Sequence, residues 1–159
     1  MIKSKALEVN LADYHVDVTI DQKYRILQEV MSRYYGLLES FNGFLKELSH
    51  PYRNWDVIVS EARRYCLEYF YLLEEHPEGP EGARLFIQIF TDAVESAKDP
   101  LVQAEAIDNL LLFLQKIIRE SQGNYDRFLP VLHDTFDHIR RYDDAVFFLF
   151  VKSFYQLKR

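Results

Sequence analysis

A single cysteine, Cys66, occurs in the 159 residues, so no internal disulfide can staple the chain, and one thiol suits a reducing compartment. Cys66 sits in "RRYCLEYFYLL" among helix-core residues, which predicts a buried, inert thiol. Glycine is scarce too: the five present form no cluster resembling the glycine-rich phosphate loop, and there is no G-x-S-x-G nucleophile elbow. Long apolar runs are missing. The longest, Leu110–Leu114 and Ala145–Val151, fall far short of the roughly 20 residues needed to span a bilayer. "MIKSKALEVNLADYH" lacks the continuous apolar core of a signal peptide. Positive charge is in deficit, 19 Lys and Arg against 25 Asp and Glu, and a net charge of −6 opposes a nucleic-acid partner. The pairs Arg63–Arg64 and Arg140–Arg141 are followed by acidic residues and read as solvated helix faces. These absences predict a cytoplasmic protein that binds neither membrane nor nucleic acid.

What is abundant is apolar and aromatic. Twelve Phe, eleven Tyr and one Trp supply large buried area per side chain, enough for one well-packed domain. Residues 1–20 alternate apolar and polar positions in "LEVNL" and "YHVDVTI", a strand period. A lone strand cannot satisfy its own backbone, so this segment is expected to be an extended arm. From Thr19, a possible N-cap with Gln22 in capping-box register, helical spacing takes over.

Six helices are predicted, over about 21–48, 55–75, 81–97, 100–121, 124–141 and from Asp144 onward. In the first, Leu27, Tyr34, Phe41 and Leu48 recur at steps of seven, with Val30, Leu37 and Phe44 between them. Gly36 and Gly43 mark either a close backbone approach or a tolerated weak spot. Pro51 breaks this helix and Asn54 caps the next. "HPEGPEG" is a turn with Pro80 placed to open a helix, and Asp99–Pro100 caps and opens the fourth. The fourth helix is apolar on most sides and is predicted to be the most buried. Pro130 must delay, kink or split the fifth. Short loops predict antiparallel neighbours. "DPLVQAEAIDNLLLFLQKI" is similar to a HEAT-type repeat helix, but no second copy follows at a fixed period. The expected fold is therefore all-α, an irregular bundle or short HEAT-like stack over residues 21–159, continuing beyond the end of the chain.

One cluster invites a chemical reading: His133, Asp134, Asp137 and His138, in "HDTFDH". Two imidazoles and two carboxylates suit Zn or Fe. On a helix, however, His133 pairs with Asp137 and Asp134 with His138, and the two histidines stand about 140° apart around the axis. "ELSH", Glu47 to His50, is half of a carboxylate-bridged di-iron motif without its second half. A stand-alone helical bundle that binds a metal or small ligand is thus the alternative reading. The leading expectation is that the chain carries no catalytic residues, no cofactor and no metal.

The stretches "YHVDVTIDQKYRILQEVMSRYYGLLESFNGFLKELSHPYRNW", "EARRYCLEYFYLLEEHPEGPEGARLF" and "AIDNLLLFLQKII" resemble the amino-terminal helical region of bacterial phosphoenolpyruvate/pyruvate-binding-domain proteins, relatives of pyruvate phosphate dikinase and phosphoenolpyruvate synthase. The resemblance covers nearly the whole chain but no catalytic motif; the family's phosphohistidine motif matches none of the five histidines. It implies an accessory domain of a larger phosphotransferase-like protein. The last helix fits that role. Its apolar residues point nearly all round the axis and no Gly or Pro stop follows, so Phe147, Phe150 and Phe154 are expected to meet a protein partner, either downstream domains of the same polypeptide or a second copy.

Overall fold

The computed structural model describes residues 19–121, 125–142, 144–145, 147–148 and 151–152. The described chain is an all-α bundle. A 3₁₀ turn, Gln22–Tyr24, leads into α1 (Arg25–Met31); then come α2 (Tyr35–Ser49), α3 (Trp55–Glu68), α4 (Phe70–Glu75), α5 (Gly79–Ser96), α6 (Pro100–Glu120) and α7 (Tyr125–Ile139). Helical backbone resumes at the described positions from Asp144. The predicted arm, residues 1–18 of it, lies outside the described residues, as do Phe150 and Phe154. Among the described residues no helix is long and apolar enough to cross a membrane.

Local chemistry sets most helix ends. The Asn54 side chain accepts from the Val57 N–H, and Asp99 from that of Leu101, with Pro100 as the first residue of α6. Pro80 stands in the first turn of α5, which begins two residues before the predicted start. Asp21, in extended geometry, caps the 3₁₀ turn in place of the predicted Thr19. Pro130 lies inside α7 without splitting it.

Two predicted helices are broken. The first stops at Met31, where the Ser32 hydroxyl and N–H both return to the Glu29 carbonyl, at 2.6 and 3.2 Å. Tyr34 is extended, leaves the seven-residue apolar series and is 47% exposed. The break brings Arg33 within 2.5 Å of the Glu75 carboxylate. The second helix breaks at Tyr69, and the change of direction seats Phe70 between Phe113 and Phe128, at centroid distances of 6.1 and 5.9 Å. Gly36 and Gly43 face open space, which decides for the tolerated weak spot over the close approach.

The centre of the bundle is α5, not the predicted fourth helix. Ten of the eighteen residues of α5 are buried, against eight of twenty-one in α6, and α5 packs on α1, α3, α4, α6 and α7. The first turn of α6 leaves Leu101 exposed. A run of rings threads the core: Tyr65 edge-on to Phe41 at 4.9 Å, Phe41 to Phe86, Phe86 to Phe113, Phe113 to Phe70, and Phe70 to Phe128. All but the tilted Phe70–Phe128 pair are edge-to-face, and such pairs add about 0.5–1.5 kcal/mol each beyond area burial. The fully buried Tyr65 keeps its hydroxyl bonded to Ser40 at 2.6 Å, so its polar end is not orphaned.

Candidate interaction site

The sequence of α7 carries two apolar stripes where one would suffice to bury it. Phe128, Val131, Thr135 and Ile139 form the stripe that enters the core. Tyr125, Leu129, Leu132 and Phe136 form a second at i, i+4, i+7 and i+11, and only Leu132 of these is buried. Along this second stripe runs a groove of about 410 Å³, closed on its far side by Ile118 of α6 and edged by His133, Asp137 and Arg140. Ile118 is 48% exposed and Phe136 47%. Asp137 pairs with Arg140 at 2.5 Å along the rim. An apolar strip with a polar rim has the anatomy of a protein-binding surface.

The cluster His133, Asp134, Asp137 and His138 divides between two flanks of α7. His133 and Asp137 border the groove. Asp134 is hydrogen-bonded to Arg84 of α5, and His138 donates from Nε2 to Glu95 Oε2, 3.0 Å away, also on α5. Among the described residues no three His, Cys, Asp or Glu side chains come together to hold a metal ion. In "ELSH", the His50 Nδ1 accepts the Tyr52 N–H at 3.1 Å, and the ring is tied to its own loop.

Glu95 is the hub of a clasp. The same Oε2 accepts the Tyr142 hydroxyl at 3.0 Å, and Tyr142 meets the His138 ring edge-on at 5.2 Å. Burial first, then the hydrogen bond and charge of Glu95, push the Tyr142 hydroxyl far above the ordinary range of a phenol. Asp92, one turn away, is held above the usual carboxylate range by burial and then by Glu95, against the pull of Lys23, Arg53 and His138. Tyr24 beside it is pushed up to about 12, chiefly by burial, with Asp92 adding to it. Chemically, this arrangement holds: the groups bind one another across helices. The clasp fixes Tyr142, and so the point from which the next helical residues depart. Phe147, expected to be an interaction residue, is 40% exposed there, and its neighbour Phe148 is more exposed still.

Sequence reasoning missed Ile118, Leu129 and Phe136. The signal was present in the excess width of the apolar arc on α7, which one core-facing stripe does not account for. Nothing local could reveal Glu95, since its partners lie 43 and 47 residues away. The chain matches no family model, no curated protein and no solved structure, so the reading of this surface rests on its own geometry.

Proposed function

We propose that this chain is a non-catalytic helical interaction module that engages a protein surface through α7, the neighbouring part of α6 and the helical residues around Phe147. The observation that carries this reading is the partly exposed second stripe of α7, with Ile118 and Phe136 both about half exposed beside one groove. The resemblance to the amino-terminal helical region of phosphoenolpyruvate/pyruvate-binding-domain proteins supports the same role, that of an accessory domain in a longer phosphotransferase-like polypeptide. A cytoplasmic setting accords with the single, buried thiol.

Sedimentation over a wide concentration range tests the surface directly, because in the isolated chain the same face is free to meet a second copy. The wild type is expected to self-associate, and Ile118→Glu with Phe136→Glu to stay monomeric with an unchanged melting curve. Phe147→Glu should weaken association to a smaller degree. A wild type that remains monomeric throughout, or a double variant that associates as before, overturns the reading.

A further inference from the structure

Away from α7, the loop joining α2 to α3 and the loop joining α5 to α6 enclose an open trough in two adjoining parts. The larger, about 640 Å³, is lined by His50, Tyr52, Arg53, Trp55 and Lys98 together with two serines and a proline, and among the described residues its only fully charged side chains are the two cations. The smaller, about 470 Å³, shares Tyr52, Arg53, Trp55 and Lys98 and adds Asp56 and Asp99. Asp99 is already engaged at the Leu101 N–H, 2.9 Å away. Among the described residues neither Arg53 nor Lys98 stands in an ion pair. Arg53 instead lies over the Trp55 ring, 5.3 Å from its centroid, with its charge also felt by half-buried Asp92. Tyr52 is 86% exposed, a large aromatic ring offered to solvent.

Both walls are set before any ligand arrives. The His50 ring clips the Tyr52 N–H and stands 6.2 Å from the Tyr52 ring. Opposite, the Gln103 amide donates to the Val94 and Ala97 carbonyls at 3.1 and 2.9 Å, fixing the turn that presents Lys98. Preorganisation lowers the ordering cost of binding. Cations that stand in no ion pair beside the exposed Tyr52 ring favour carboxylates flanking an aromatic or apolar side chain. The trough is open along its length, which suits an extended chain better than an enclosed small molecule.

We propose that this trough binds an acidic peptide segment of a protein partner, with carboxylates at Arg53 and Lys98 and an aromatic or apolar side chain against Tyr52. The inference deepens the interaction reading by naming a partner chemistry, and rests on that reading only for the choice of a peptide as ligand.

Fluorescence anisotropy of the full chain with a labelled peptide of alternating glutamate and tyrosine tests it, with a lysine-for-glutamate peptide as the counterpart. The glutamate peptide should bind saturably, the lysine peptide should not, and added salt should weaken binding. Arg53→Glu combined with Lys98→Glu should lower affinity about tenfold or more. Tyr52→Ala, which alters no charge, should lower it a few-fold. Lys46→Glu, exposed on α2 and outside the trough, should leave it unchanged. Melting curves establish that each variant is folded; should the double variant fail to fold, Tyr52→Ala and Lys98→Gln decide. Absent saturable binding, or binding equal in the folded trough variants, overturns the proposal. Inorganic phosphate displacing the peptide as effectively as unlabelled peptide does overturns it in favour of a small-anion site. Loss of peptide binding with self-association through α7 intact would leave the module reading standing, so the two failures are distinguishable.

Discussion

A Cβ placed on Gly79 would stand 1.7 Å from the carbonyl oxygen of Leu73. The end of α4 and the start of α5 are therefore in backbone contact at a position where only glycine fits. Gly79→Ala must part the two helices and should cost about 1–3 kcal/mol or more in urea melts. Gly82→Ala meets the flexible end of Leu73 at 2.7 Å and should cost less. Gly43→Ala faces open space in mid-helix and should stabilise by about 1 kcal/mol. An unchanged melt for Gly79→Ala would contradict this contact.

Arg127 of α7 closes the same corner from the other side. Its guanidinium donates to the carbonyls of Glu74, His76 and Pro77 at 3.1, 2.7 and 3.0 Å. Three acceptors in a fork suit a planar guanidinium and not a single ammonium. Arg127→Ala is expected to destabilise by about 2 kcal/mol, and Arg127→Lys by nearly as much. Recovery of most of the loss by lysine would show that charge, not the fork, matters.

Cys66 is buried, and burial pushes its thiol well above the ordinary range. A thiol reagent should leave the native protein unlabelled and modify one cysteine once urea unfolds it. Rapid labelling of the native chain would mean that α3 opens locally.

The raised pKa of Asp92 sets a direction for its pH dependence. An acid whose folded pKa lies above its unfolded value binds its proton more tightly when folded. The native state is thus favoured by this group below the unfolded pKa, and that contribution is lost as pH rises through the folded one. At neutral pH Asp92→Asn should therefore raise the melting temperature. The gain should shrink toward zero as both forms are protonated at acid pH. A difference that grows on acidification would reverse the sign argued here.

Helix content and most helix ends were legible in the sequence. Asn54, Pro80, Asp99 and Pro100 act on backbone groups within a turn or two, and apolar spacing follows the helical period. The break at Ser32–Tyr34 and the bend at Tyr69 were not legible, because the pairings that accompany them, Arg33 with Glu75 and Phe70 with Phe113 and Phe128, join residues far apart in the chain. The sequence likewise contained both apolar stripes of α7 and the separate faces of His133 and His138. Which stripe is covered more fully depends on where α5 and α6 dock against that helix. Residues 43 to 47 apart, such as Glu95 with His138 and Tyr142, meet only after the helices dock, since local periodicity fixes a side chain's angle about its own axis and carries no information about what lies across the interface.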